Sequence, residues 1–192
     1  MSHFAIWEVS TFLKRLLVTG LAEHPETAIA EANLLLTNPG QAGAAAGQKR
    51  LFLWLYQVCP NEHLRNDQYV RQVKDEEQRL PPLVVNLQYL LTPSTGADLT
   101  DQLVLGKSMQ ILYDKAVVRM ESPNDPSKGE ELHISLASRT IDELAEVWYA
   151  MQQPYRLSVC YEVRVVRIDS QRVLVGGRVR ERGTKFEPME AV

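Results

Sequence analysis

The segment PPLVVNLQYLLTP, residues 81–93, carries the clearest alternation in the chain. Leu83, Val85, Leu87, Tyr89 and Leu91 take every second position, with Asn86 and Gln88 between them. That is the two-residue period of a β-strand with one dry face. Pro81 and Pro82 have no backbone N–H to give a ladder, so the strand is expected to start after them. Thr92-Pro93 is expected to end it, and STGAD follows as a turn. No acid, base or nucleophile lies inside the segment. A strand so well delimited and so inert belongs to a scaffold.

The neighbouring segments extend that scaffold. RLFLWLYQV, residues 50–58, is apolar on both sides: Leu51, Leu53 and Leu55 on one, Phe52, Trp54, Tyr56 and Val58 on the other. Such a strand is covered on both faces. YRLSVCYEVRVVRI, residues 155–168, reads as a long strand. Its Leu157, Val159, Tyr161, Val163 and Val165 face is dry, and its Ser158, Cys160, Glu162 and Arg164 face is half polar. DSQ is expected to turn it into RVLVGGRVRERG, a further strand broken at Gly176-Gly177. ELHISL, from residue 131, reads as a short strand, and ESPNDPSKGE before it as an exposed loop.

Three segments read as helices. Over residues 3–19, Ile6, Val9, Leu13, Leu16 and Leu17 form one stripe, with Gly20 as the C-terminal cap. Over residues 99–116 the stripe is Leu105, Met109, Leu112 and Ala116, with Asp98 as the cap and Gly106 allowing close approach. Residues 140–151, TIDELAEVWYAM, are the clearest. Thr140 and Glu143 make a capping box, and Ile141, Leu144, Ala145, Trp148 and Met151 form the apolar face before Pro154. Residues 25–38 fit helix by their Ala and Glu content, or strand by LLLT before NPG.

Helix, strands, helix, strand, helix, strands: this order predicts one α+β domain, an antiparallel or mixed sheet packed by helices, over residues 1–180. Residues 181–192 read as a C-terminal tail. The 192 residues, 45% apolar and 23% charged, suit a globular domain with a real core. A net charge of −3 gives no basic surface for nucleic acid. No apolar run approaches the roughly 20 residues of a membrane helix. The start lacks a secretory pattern, so the expectation is a reduced, cytoplasmic protein.

Residue types that do chemistry are scattered. His3, His24, His63 and His133 share no short spacing with each other or with Cys59 or Cys160, so no metal site is expected. Neither cysteine has a base beside it in sequence, and both read as inert thiols. GQAGAAAGQ, residues 40–48, lacks the ending of a phosphate-binding loop and reads as a connector. Residues 60–80 read as a surface excursion, with Asp75, Glu76 and Glu77 on a solvated face. No catalytic residue and no cofactor is therefore expected. Arg178, Arg180 and Arg182 alternate on one strand face. They are the candidate protein-interface residues, suited to an acidic partner surface; the competing reading is a solvated edge that blocks aggregation.

Four segments occur in a set order: LFLWLYQVCPNEHLRN, PPLVVNLQYLLTP, LGKSMQILYDKAVV and LHISLASRTIDELAEVWYAMQQPYRLSVCYEVRVVRID. In this the chain resembles the cap, or tail-terminator, family of contractile injection systems, phage-tail-like particles that drive a tube from a contracting sheath. The resemblance runs from the first helix to about Asp169. It implies a tail-terminator-like α+β subunit with no reaction to catalyse. Its expected partners are copies of itself, in a ring expected to be hexameric, and the tube and sheath proteins of the particle, with no nucleic acid and no membrane insertion. The ring would end tube and sheath at the end distal to the baseplate. Assembly would be cytoplasmic, in a particle either released or anchored in the cell. The resemblance also favours a strand within residues 25–38. The alternatives are a tube or baseplate subunit, and a small-molecule-binding protein or enzyme.

Overall fold

The computed structural model describes residues 3–41, 48–62, 64, 71–74, 77–79, 82–122, 125–170 and 173–175. In chain order the elements are helix α1 (Ala5–Leu21) and strands β1 (Leu34–Leu35), β2 (Arg50–Pro60), β3 (Arg71–Lys74), β4 (Glu77–Arg79) and β5 (Leu83–Ser94). Helix α2 (Asp98–Asp114), strands β6 (Val117–Ser122) and β7 (Asp125–Ala137), helix α3 (Ile141–Ala150), and strands β8 (Val159–Ile168) and β9 (Val173–Val175) follow. Six strands form one sheet in the order β1-β2-β5-β8-β7-β6. Only β1 and β2 run parallel; the other neighbours are antiparallel. The architecture is a single α+β domain with a mixed sheet.

The alternating strand of residues 81–93 is β5, and it lies inside the sheet between β2 and β8. It begins after the two prolines, as expected. It does not end at Thr92-Pro93, because Pro93 keeps register with Leu51 and the strand runs to Ser94. Its dry face is the centre of the main core: Leu87, Tyr89 and Leu91 are wholly buried with Leu51, Leu53, Tyr161 and Val163. Helices α1 and α2 cover that face, contributing Val9, Leu13, Leu17, Leu21, Val104, Leu105, Ile111 and Leu112. The Tyr89 hydroxyl bonds Ser10 Oγ of α1 at 2.8 Å, so this buried phenol has a partner. Helix α3 covers the other face, where Trp148 and Met151 pack on Leu90 and Cys160.

Several expectations are corrected. Gly20 lies within α1, where an added Cβ would stand 2.6 Å from Ile111 Cδ1 of α2. It permits the close approach of the two helices and caps nothing. Gly106, the residue expected to allow such an approach, has open space beside it. Asp98 makes no capping bond; Asp101 Oδ1 instead accepts from the Thr95 N–H. The inward stripe of α2 is Val104, Leu105, Ser108, Ile111 and Leu112, and Met109 is only partly buried. The exposed loop of residues 121–130 belongs instead to the β6–β7 hairpin, and the short strand at 131 is the end of β7. Residues 25–38 are mostly irregular, with the two-residue strand β1 entering the sheet beside β2. Strand β8 starts at Val159, and Leu157 before it is exposed.

The surface excursion contains β3 and β4, and the strand after DSQ is β9; together they make a second, three-stranded sheet. Strand β9 pairs with β4 and so does not return along β8. The β5–β8 ladder reaches Leu83 and Ile168. The next pair is Arg79 and Val173, four residues back on one strand and five forward on the other. The small sheet thus pairs β4 with β9 on the same two stretches of chain that lead away from β5 and β8.

Candidate assembly interface

Helix α2 departs from the usual plan of a surface helix, whose outer face is charged. Its outward residues Leu99, Leu103, Gly106, Gln110 and Tyr113 follow a 4-3-4-3 spacing, a continuous stripe on a helix. Leu99 is 80% exposed, Leu103 45% and Tyr113 81%. No charged side chain belongs to the stripe. The sequence signal was available, since these residues recur at helical spacing opposite the buried stripe, but attention to one apolar face missed it.

Helix α3 opens with the expected capping box. Thr140 Oγ1 accepts from the Glu143 N–H, and Glu143 Oε2 accepts from the Thr140 N–H at 2.8 Å. That backbone bond, with Arg139 nearby, holds the Glu143 carboxyl below its ordinary range. Of the expected apolar face, Trp148 is buried, and its Nε1 donates to Ser158 Oγ at 3.0 Å. Leu144 is partly buried against the same cluster, joined by Val147. Ile141 and Ala145 point outward instead, and with Tyr149, 85% exposed, they form a second uncovered apolar stripe.

Beneath α3, β2 carries a bulge. Leu55 opposes Tyr89 and Gln57 opposes Gln88, so Tyr56 is the extra residue. Its hydroxyl is influenced by the neighbouring Cys160 and Arg139. Burial, with Cys160 beside it, pushes the Tyr56 phenol up to about 12. Burial also raises the Cys160 thiol, which opposes the thiolate a nucleophile needs. Cys59 is half-buried and unpaired with Cys160.

Away from α3, the same face of the sheet carries a polar ladder. Asn61 Nδ2 donates to Asn86 Oδ1 at 3.0 Å, and Asn86 Nδ2 and Gln88 Nε2 donate to Glu162 Oε1 at 3.3 and 2.8 Å. Arg164 Nε donates to the other carboxylate oxygen. The acceptors are filled by neighbours, so this carboxylate is structural. Gln88 Oε1, Thr92 Oγ1 and Arg139 Nε are buried without partners. His133 sits on β7 beside Glu131, at 3.2 Å. No group of three metal-ligating side chains occurs among the described residues. No helix there is long and apolar enough to cross a membrane. Arg178, Arg180 and Arg182, with Asp75 and Glu76, residues 42–47 and the tail 181–192, lie outside the described residues. What the described surface offers is contact area.

Comparison with known proteins agrees with that. Residues 8–182 match the Pvc16 N-terminal domain. No curated protein matches the sequence significantly. The fold is similar to the sheath/tube terminator of an extracellular contractile injection system, PVC, seen by cryo-EM in the extended state, with a TM-score of 0.63 and 14% identity. That likeness covers 100% of this chain and 65% of the other. It is also similar to the anti-feeding prophage cap, a tube-terminating cap, with a TM-score of 0.52 and 16% identity over 88% of this chain and 60% of that one. This chain thus spans less than two thirds of either. By the match over residues 8–182, the chain belongs to the Pvc16 N-terminal domain family.

Proposed function

We propose that the protein is a structural cap of a contractile injection particle. In this reading its copies form a ring, expected to be hexameric, that ends tube and sheath at the end distal to the baseplate. The observation that carries it is the family match over residues 8–182, on a fold similar to two proteins described as terminators. The surface supports it too. Termination is an interface problem: one side must complement an unfinished tube end, and the other must offer no equivalent end. Exposed apolar helix faces supply contact area, and the buried cysteine and fully bonded Glu162 supply no reactive group.

The partners in this reading are the tube and sheath proteins, with Arg178, Arg180 and Arg182 meeting an acidic surface on one of them. Assembly takes place in the cytoplasm. Deleting the gene is expected to give tubes or sheaths of irregular length by electron microscopy; uniform particles in the deletion strain overturn the reading. A tube subunit, by contrast, would stack into long polymers on its own.

A further inference from the structure

The two uncovered helical stripes share one design. On α2, Gly106 lies at the centre, with Leu99 and Leu103 on one side and Gln110 and Tyr113 on the other. On α3, Ala145 lies at the centre between Ile141 and Tyr149, four residues away each way. A Cβ at Gly106 would meet nothing within 4 Å. Glycine inside a helix weakens it and is kept where another backbone comes close. Nothing in the described chain comes close there. The stripes also point apart: α2 packs on one face of the sheet and α3 on the other.

We propose that α2 of one copy packs against α3 of the next, crossing where Gly106 meets Ala145, and that this contact repeats around the ring. The proposal rests on the cap reading above and names the subunit interface it needs. Two unlike patches on opposite sides of one subunit make a head-to-tail contact, the kind that closes into a ring. A second copy is the occupant because the complement of each stripe is on this chain. Large-small-large faces large-small-large, so side chains on either side of the crossing interleave while the small centres let the helices approach. The stripes supply part of the area such an interface needs. Tyr113 and Tyr149 are more than four fifths exposed, and each covers roughly 150–250 Å² when buried. The two alone approach about a quarter of a standard interface of roughly 1,200–2,000 Å².

The test mixes two single variants, Gly106→Cys and Ala145→Cys, each with Cys59→Ser, in rings formed alone or on purified tube ends. A short bis-maleimide then reports which positions are neighbours. A product joining the Gly106→Cys copy to the Ala145→Cys copy is expected. Rings visible by electron microscopy with no such product, or with Gly106→Cys joined only to itself, overturn this contact and leave the cap reading standing. Absence of rings from the wild-type protein, alone and on tube ends, overturns the cap reading and the contact with it. As a second measure, Leu103→Asp and Tyr149→Asp change exposed residues, so an unchanged thermal melt with loss of rings is expected from each. Intact rings in either variant count against the proposal.

Discussion

The two faces of the central sheet differ in kind. One is a continuous apolar core. There β5, β2, β7 and β8 meet α1 and α2 through side chains such as Leu17, Leu53, Leu87 and Leu132, all nearly or wholly buried. The other carries the shorter helix α3, the small cluster of Leu90, Trp148, Met151 and Cys160, and a polar ladder from Asn61 to Arg164. Among the described residues, the three buried polar atoms without partners lie on that second side: two on β5 positions that alternate with the core residues, the third on Arg139 just before α3. Burying polar groups costs free energy and burying apolar ones releases it. The first face is therefore where stability comes from. The second tolerates compromise.

Truncation in the main core should cost most. Leu87→Ala is expected to lose about 2–5 kcal/mol by urea denaturation. A loss below about 1 kcal/mol would erase the contrast between the faces. Under α3, Ser158→Ala leaves the buried Trp148 Nε1 without its acceptor, at an expected cost of about 1–3 kcal/mol.

The core face also carries a pH signature. Burial raises the Tyr89 phenol from 10.0 to about 12, partly offset by the Ser10 bond. A folded-state value above the unfolded one favours the protonated fold. Its contribution is complete below pH 10 and is lost as pH rises through the folded value. Between those limits stability should fall with a slope near 1.4 kcal/mol per pH unit from this group. Tyr56 on the opposite face is raised to a similar value but is only half-buried, and water should weaken its share. Thermal melts of wild type and Tyr89→Phe from pH 9 to 12 check this; an equally steep variant would exclude Tyr89 as the source.

The two helix glycines give the smallest and most pointed test. Gly106→Ala fills open space and should stabilise the isolated subunit by about 1 kcal/mol. Gly20→Ala drives a methyl against Ile111, so overpacking of about 1–3 kcal/mol outweighs the same gain. If both variants melt above wild type, the α1–α2 approach is looser than 2.6 Å implies.

The elements with strong local signals were legible in advance. The start of β5, both sides of β2 as far as Tyr56, the α1 stripe and the Thr140–Glu143 box follow from periodicity and capping, which are properties of a few adjacent residues; past the bulge at Tyr56 the expected cover fails, and Val58 is exposed. Roles that depend on distant partners were not. Gly20 and Gly106 look alike in sequence, and their roles differ because Ile111 stands beside only one of them. Residues 121–130 look like a loop by their Pro and Gly content, yet pairing between β6 and β7 overrides that preference. The strand after Asp169 was expected beside β8, whereas its ladder bonds go to β4. Alternation and capping are written within one turn or one strand of chain. Which strand neighbours which, and which helix face is left bare, depends on packing across the whole domain, where the energies come from residues far apart in sequence.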